Sequence, residues 1–381
     1  MRTSLLKTAF FAPLVLVVLL ILLLTLPLGL PSPNGPYEVG ETVLRWIDSS
    51  RPEVLTEDPS DVREVVAVLW YPAEKGTGTK SPYFPGLSTV SKALIESGEV
   101  SSWEVFGLQW MHSQNLLNAH PAKSQIPYPI LIFSPGNGTN VEFYNSLASE
   151  VASHGYVVVG LNHPYDVAGV ELTDHKIAQF YKAQETLDRN ANQAFVAERI
   201  KVRTLDVLFA RDQLEILNAT PNNLFTGMLD VQSVAVGGHS LGGITASEAC
   251  KAEPSFRACF NLDGIQRGGP FSPQESASPP EQPFLFLTKE LRLPPKLIEK
   301  FESTKQSYWI VIRGARHGSF TDGPLLQPNW LPIPNQADHI MALIQRYTLA
   351  FLEQALKGQN SGLLSDSAEY QDVRIKVYPS H

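Results

Sequence analysis

The amino-acid sequence predicts an α/β fold with a mostly parallel central sheet of about eight strands, flanked by helices. Short, nearly continuous apolar runs alternate with longer segments of helical periodicity along most of the chain. Such runs are typical of strands covered on both faces, and their alternation with helices indicates parallel pairing. The 381 residues, of which 43% are hydrophobic and 18% charged, are enough to bury one large core.

The N-terminus is predicted to meet a membrane. Arg2 and Lys7 precede a segment, residues 8–34, that carries no charge. Within it, residues 9–30 supply the roughly 20 apolar residues that a membrane-spanning helix needs. The two cationic residues favour an uncleaved anchor, and a cleaved signal peptide is the alternative. Both interpretations place the rest of the chain outside the cytoplasm.

Two units are therefore predicted. Residues 1–36 comprise the anchor or signal peptide and a stiff, proline-rich stalk at 27–36, and residues 37–381 form the folded domain. The net charge of −8 and the scattered Lys and Arg residues leave no basic face for a phosphate backbone. Nucleic acid is not an expected partner, and we assume a monomer.

Eight apolar runs account for the predicted sheet. Residues 37–48 and 63–72 are predicted to form an opening antiparallel pair. The remaining runs are predicted to be parallel strands, at residues 128–134, 156–162, 231–238, 256–263, 283–288 and 308–314. The clearest helical patterns lie at 195–217 and 337–356, and the second of these closes the core.

Cys250 and Cys259 are the only cysteines in the chain. In an oxidising compartment they could form a disulfide that closes a short loop. Buried free thiols fit the sequence equally well. The sequence therefore leaves the state of the two cysteines open.

The segment VAVGGHSLGGITASEA, residues 234–249, carries a Gly-x-Ser-x-Gly pattern centred on Ser240. It lies where the third predicted parallel strand ends and a helix begins. This setting is typical of the nucleophile elbow of the α/β-hydrolase fold, a tight turn that lifts the serine hydroxyl above the sheet. Gly238 and Gly242 lie two residues to either side, where a Cβ would clash. A glycine-rich turn with an incidental serine is the alternative.

A nucleophilic serine needs a base, and in this fold the acid and the histidine follow the serine along the chain. Three histidines follow Ser240. His317 comes just after a predicted strand, at the carboxyl edge of the sheet, and is the candidate base. His339 falls in the closing helix, and His381 is the last residue. His239, beside the serine, is expected to be structural.

The acid that orients the base is expected on a neighbouring strand. Asp263 is the only aspartate between Ser240 and His317, and it ends a predicted strand. Its carboxylate is therefore expected at the sheet edge that carries the other two side chains. Glu290, after the next strand, is the second candidate. We favour Asp263.

Two backbone N–H groups are predicted to bind the oxyanion that forms during acyl transfer. Leu241 follows the serine, and the elbow aims its N–H at the reacting carbonyl. The second donor is assigned to Asn137 in the loop SPGNGTN, where Pro135, Gly136 and Gly138 suit a tight turn. An ordinary Pro-Gly turn is the alternative.

Residues 101–117 place Trp103, Phe106 and Trp110 close to one face of a predicted helix. This face could rest on a membrane or lipid interface. An aromatic stripe at helical spacing more commonly packs on the core. We therefore expect packing on the core, and contact with an interface is the alternative.

Six blocks of the sequence together resemble one known family: LWYPAE, ILIFSPGNGTN, VVVGLNHPYD, GGHSLGG, FNLDG and RHGSF. It is the platelet-activating factor acetylhydrolase family, secreted or lipid-associated serine esterases with the α/β-hydrolase fold. The resemblance extends over most of the domain, from residue 37 to 350. One departure is the oxyanion loop, which reads Ser-Pro-Gly-Asn where the animal enzymes have His-Gly followed by an apolar residue.

The resemblance implies an activity and a set of site residues. The substrates would be glycerophospholipids with a short or oxidised sn-2 acyl ester, hydrolysed without a metal or other cofactor. The nucleophile, acid and base would be Ser240, Asp263 and His317, and the oxyanion amides would be those of Leu241 and Asn137. The alternatives are a general carboxylesterase or polyester hydrolase with the same triad, a non-catalytic binding protein of this fold at the membrane, and a lipid-transfer role.

Overall fold

The structure is a computed structural model that describes residues 29–182, 189–264, 279–293, 295–302, 304, 306–327, 334–365 and 370–378. The predicted anchor or signal peptide lies outside these ranges, except for residues 29 and 30. Within the described ranges, no helix combines the length and the apolar composition that crossing a membrane requires.

Eleven strands of the described chain form one sheet, and two more form a separate hairpin. In chain order the strands are β1 (Glu38–Pro52), β2 (Val62–Ala73), β3 (Thr79–Pro82), β4 (His112–Leu117), β5 (Tyr128–Ser134), β6 (Val157–Asn162), β7 (Gly169–Glu171), β8 (Ile177–Gln179), β9 (Leu229–His239), β10 (Ala258–Leu262), β11 (Phe284–Lys289), β12 (Ser307–Ile312) and β13 (Val373–Tyr378). Their order across the sheet is β13-β12-β11-β10-β9-β5-β6-β2-β1-β4-β3, and β7 pairs with β8.

Seven α-helices belong to the described part of the chain. They are α1 (Leu87–Ser97), α2 (Ser102–Leu108), α3 (Asn145–Ser153), α4 (Arg189–Ala219), α5 (Leu241–Ala252), α6 (Pro295–Glu302) and α7 (Pro334–Lys357). Short 3₁₀ turns lie at Val141–Tyr144, His317–Phe320 and Gly323–Leu326.

The predicted fold class is confirmed. The six runs predicted as parallel strands are β5, β6, β9, β10, β11 and β12, and their mutual pairings are parallel. β1 and β2 form the predicted antiparallel pair. The predicted number of strands was too low, because β3, β4 and β13 extend the two edges of the sheet. β4 and β13 alternate buried and exposed residues, so they lack the continuous apolar run that identified the central strands.

The core has two layers, one on each face of the sheet. In β5, Ile130 and Ile132 belong to the cluster that includes residues of α4 and α5. Leu131 and Phe133 belong to the opposite cluster, which includes residues of α3 and α7. Successive side chains of a strand point to opposite faces, so helices on both sides require an unbroken apolar run.

The described part of the predicted stalk lies against the domain rather than projecting from it. Gly29 forms an isolated parallel bridge with His112 at the start of β4. The Asn34 N–H donates a hydrogen bond of 2.9 Å to Glu150 Oε2 on α3. Prolines prevent a helix here but leave neighbouring N–H and C=O groups free to pair with the domain. Gly29, the first described residue, therefore lies beside β4.

Cys250 and Cys259 form a disulfide, with their Cα atoms 6.6 Å apart. The bridge joins α5 to β10, and both residues are buried. Of the two states that the sequence left open, the structure therefore has the disulfide.

The buried carboxyl group of Glu41 on β1 generates a prediction about stability. Its Oε2 accepts a hydrogen bond of 3.0 Å from Asn115 Nδ2, while no partner for Oε1 is found in the described chain. Burial raises the pKa of Glu41 to about 8, and the nearby Glu142 also raises it. The group is neutral in the folded protein at neutral pH, although it ionises near pH 4.5 in the unfolded chain. Its contribution to stability is therefore present at low pH and is lost as the pH rises to about 8.

Glu41→Gln replaces the carboxyl group with an amide of nearly the same shape, which stays neutral at every pH. Between pH 5 and pH 8, we expect the unfolding free energy of wild type to fall relative to Glu41→Gln by on the order of 3 kcal/mol. Urea unfolding of both proteins at the two pH values measures this difference. Glu38→Gln, an exposed position on the same strand, is the control and should not change the pH dependence of wild type. A parallel pH dependence of wild type and Glu41→Gln would contradict the prediction.

Candidate active site

Ser240 lies in the turn between β9 and α5, with φ 55° and ψ −120°. A positive φ is uncommon for a residue with a side chain and indicates a strained turn. The Ser240 N–H donates a hydrogen bond of 2.9 Å to the Leu262 carbonyl at the end of β10. The turn is therefore fixed to the neighbouring strand.

The glycines on either side of Ser240 are required by close backbone contacts. A Cβ on Gly238 would collide with the backbone of Gly242, and a Cβ on Gly242 would collide with the carbonyl oxygens of Ser134 and Pro135. The turn is thus packed against the end of β5 and the loop that follows it. This is the close approach that the Gly-x-Ser-x-Gly spacing predicts.

The structure brings Ser240, His317 and Asp263 into one hydrogen-bonded chain. Ser240 Oγ is 2.9 Å from His317 Nε2, and His317 Nδ1 is 2.6 Å from Asp263 Oδ2. Asp263 directly follows β10 and is fully buried, whereas His317 is partly exposed in the turn after β12. With the proton on Nδ1, His317 donates to the carboxylate and its Nε2 accepts from the serine hydroxyl.

The other sequence candidates lie elsewhere. Glu290, the second candidate acid, is exposed and lies 3.3 Å from Arg374 on β13. His339 is exposed and lies 3.3 Å from Asp372. His381 is outside the described residues.

Sequence reasoning missed Lys289, the last residue of β11. Its Nζ donates a hydrogen bond of 3.0 Å to Asp263 Oδ2, the oxygen that also accepts from His317. One oxygen of the buried carboxylate therefore accepts from both the Lys289 ammonium and the His317 imidazole. The available signal was the position of Lys289 at the end of a parallel strand, at the edge where Asp263 was expected.

His239 packs against the candidate base. Its ring centroid is 4.6 Å from that of His317, and its Nδ1 hydrogen-bonds to Tyr144 Oη at 2.8 Å. Burial lowers the pKa of His239 well below its usual range, and the nearby His317 lowers it further. His239 is therefore a neutral ring that supports the imidazole of His317.

A cleft of about 370 Å³ opens over Ser240. Its lining includes Ser240 and His317 together with the two predicted oxyanion donors, Leu241 and Asn137. Leu241 is the first residue of α5, where N–H groups have no intrahelical acceptor. Asn137 is exposed, and within the described chain its N–H has no hydrogen-bond acceptor. Both residues predicted as oxyanion donors therefore lie at the cleft that contains Ser240.

The described residues contain no group of three or more His, Cys, Asp or Glu side chains placed to hold a metal ion.

Trp103, Phe106 and Trp110 form what we call the aromatic surface. They are 52%, 43% and 62% exposed, so the expectation that they pack on the core was wrong. Trp103 and Phe106 stack on α2 with centroids 5.7 Å apart. Trp110 is not on the predicted helical face, because α2 ends at Leu108 and the chain then enters β4.

Comparisons with known proteins identify relatives along most of the chain. A platelet-activating factor acetylhydrolase of Cavia porcellus is 28% identical over 86% of this chain and 78% of that protein. A protein of Arthroderma benhamiae named "Probable 1-alkyl-2-acetylglycerophosphocholine esterase" is 24% identical over 90% of this chain and 92% of its own length. Among solved structures, a ferulic acid esterase of Streptomyces cinnamoneus has the same fold, with a TM-score of 0.70 and 24% identity over 91% of this chain and 98% of that one.

The match to a protein family covers the site as well as the fold. The family model described as platelet-activating factor acetylhydrolase, isoform II, matches residues 27–368. This range contains Ser240, Asp263 and His317 and all strands except β13. The chain therefore belongs to the platelet-activating factor acetylhydrolase isoform II family.

Proposed function

We propose that this chain is a serine esterase that hydrolyses the short or oxidised sn-2 acyl ester of glycerophospholipids resembling platelet-activating factor. The observation that carries the proposal is the hydrogen-bonded chain from Ser240 through His317 to Asp263. Ser240 and His317 line a cleft that is open to a substrate. The family membership supports the class of reaction, a carboxylic ester hydrolysis. The names of the relatives supply the phospholipid substrate.

The geometry supports acyl transfer through a covalent intermediate. His317 Nε2 takes the proton of Ser240 as Oγ attacks the ester carbonyl carbon, and Asp263 stabilises the imidazolium that forms. The tetrahedral intermediate collapses, and the lyso-phospholipid oxygen leaves with the proton that His317 returns. A water molecule then repeats these steps on the acyl-enzyme and releases the carboxylic acid.

The N–H groups of Leu241 and Asn137 are the proposed oxyanion donors. Both line the cleft beside Ser240. One such donor contributes about 2.7 to 4 kcal/mol to transition-state stabilisation, because it is already oriented when the charge develops. No step of this mechanism uses a metal ion or another cofactor.

The aromatic surface is the proposed site of contact with a lipid surface. Gly29, near the end of the apolar segment at 9–30, pairs with His112, which is two residues beyond Trp110 in the sequence. Glu99 lines the cleft and precedes α2 by only a few residues in the sequence. The cleft and the aromatic surface are therefore built from neighbouring segments of the chain. Tryptophan side chains favour the membrane–water interface. We therefore propose an extracytoplasmic enzyme, anchored or secreted through residues 1–36, whose cleft opens near the lipid.

Removal of the nucleophile gives the most direct test. We expect Ser240→Ala to lower kcat for p-nitrophenyl acetate by about 10⁴-fold or more, because no covalent intermediate can form. Asp263→Asn should lower kcat by roughly 10⁴-fold, because the imidazole loses the partner that fixes its tautomer. Glu290→Gln is the matched control and should keep near wild-type activity. A fluorophosphonate label that maps by peptide sequencing to a residue other than Ser240 would refute the assignment.

The substrate class is tested with phosphatidylcholines that differ only in the sn-2 chain. We expect kcat/KM to be highest for acetyl and to fall for octanoyl and palmitoyl, because the relatives are named for an acetyl ester and a longer chain must fill more of a cleft of about 370 Å³. p-Nitrophenyl acetate serves as the soluble reference ester. A general carboxylesterase would instead turn over the reference ester well and show no preference among the phospholipids.

The role of the aromatic surface is tested by changing Trp103, Phe106 and Trp110 together to serine. Because burial of each large apolar side chain stabilises by about 1.5 to 3 kcal/mol, we expect kcat/KM for a short-acyl phospholipid in vesicles to fall about tenfold or more. The rate on p-nitrophenyl acetate should stay unchanged. Ile216→Ser, an exposed apolar residue on α4, is the control. Equal loss on both substrates would show a defect of the cleft and not of lipid contact.

A further inference from the structure

A second Ser-His-Asp arrangement lies behind the candidate active site. Ser134 Oγ is 2.8 Å from His163 Nε2, and His163 Nδ1 is 2.8 Å from Asp206 Oδ2. All three residues are 0% exposed. The distances match those of a catalytic triad, but a fully buried serine cannot reach a substrate. The three residues, which we call the buried relay, must therefore act in another way.

Charges fix the direction of the hydrogen bonds in the buried relay. Burial alone would raise the pKa of Asp206, but Arg63, with N–O distances of 2.6 and 3.1 Å, holds that pKa well below its usual range. Burial lowers the pKa of His163 to about 4, and Arg203 adds to this effect. His163 is therefore neutral and donates from Nδ1 to the Asp206 carboxylate. Its Nε2 must then accept the hydrogen bond that the Ser134 hydroxyl donates.

Ser134 is the last residue of β5, and the proposed oxyanion loop starts directly after it. Three hydrogen bonds to residues outside the loop hold the positions around Asn137: Arg203 Nη2 donates to Pro135 O (2.5 Å), Gly136 N–H donates to Tyr144 Oη (3.0 Å), and Gly138 N–H donates to Asp166 O (2.8 Å). Asn137 lies between these tethers. Its N–H is the backbone donor that they leave available to the cleft.

The same segment also contacts the nucleophile elbow. The carbonyl oxygens of Ser134 and Pro135 lie where a Cβ on Gly242 would be. At the end of β5, the hydroxyl of Ser134 belongs to the buried relay, while its carbonyl oxygen contacts the turn that carries Ser240 and Leu241. A shift of Ser134 would move the two proposed oxyanion donors relative to each other.

We propose that the buried relay positions the oxyanion loop: Asp206 and His163 hold the Ser134 hydroxyl and so set the place of the Asn137 N–H relative to Ser240. Ser134, His163 and Asp206 are thus positioning residues. The inference rests on the proposed function of Ser240 and Asn137. It extends that function to residues that never contact the substrate.

The test is Ser134→Ala in the full chain, with p-nitrophenyl acetate as substrate and a fluorophosphonate titration to count active sites. A displaced donor weakens binding of the oxyanion only, so we expect kcat per titrated site to fall by about 10- to 100-fold with little change in KM. The Ki of a trifluoromethyl ketone, which forms an oxyanion on the serine, should rise by the same factor.

Ser149→Ala is the matched control. Ser149 is buried on α3, and its single hydroxyl proton lies between two acceptors, Asn115 Oδ1 at 2.8 Å and Asn145 Oδ1 at 2.9 Å from Oγ. Both variants lose a buried hydroxyl, so both should have a lower Tm, but Ser149→Ala should keep the wild-type kcat and Ki. Titration normalises the rates to the folded enzyme, so a loss of stability alone cannot imitate the expected result.

Two other outcomes have distinct meanings. Wild-type kcat and Ki in titrated Ser134→Ala would overturn the positioning role and leave the esterase intact. Activity that survives in Ser240→Ala would instead overturn the proposed function.

Discussion

The site depends on one close contact, in which the turn at Ser240 packs against the carbonyl oxygens of Ser134 and Pro135 at the end of β5. Only glycine at positions 238 and 242 permits this contact. The turn also holds Ser240 at a positive φ, a conformation that costs of order 1 to 3 kcal/mol and persists only where surrounding structure enforces it. The parallel pairing of β9 with β5 and with β10 enforces it from both sides. The hydroxyl, the first N–H groups of α5 and the proposed oxyanion loop are therefore positioned by the same packing.

Much of the fold and of the candidate site could be predicted, because the sequence signals for the central strands and for the residues that follow them are local. Strands buried on both faces have continuous apolar runs, so the six central strands were found, whereas edge strands such as β13 were not. The carboxyl edge of a parallel sheet collects the residues that follow each strand. That rule was sufficient to select Asp263 and His317, which the structure places 2.6 Å apart.

The remaining features depend on side chains that are distant in sequence. The hydrogen bond between His163 and Asp206 joins residues 43 positions apart, and no spacing rule relates a residue after β6 to one inside α4. Lys289 was close to a residue under consideration, Glu290, but which of two adjacent side chains points toward Asp263 is set by the pleat of β11. Trp110 was misplaced because the helical period of residues 101–108 does not continue into β4.

The disulfide has a consequence for where this protein can persist. Closing a loop of nine residues restricts the unfolded chain and is worth about 2 to 3 kcal/mol in the loop-entropy account. Neither Cys250 nor Cys259 is among the described residues that line the cleft. Reducing the bond would therefore lower the free energy of unfolding without removing a side chain from the cleft. Outside a reducing compartment the folded chain keeps this additional stability, and the described lining of the cleft contains no thiol that oxidation could modify.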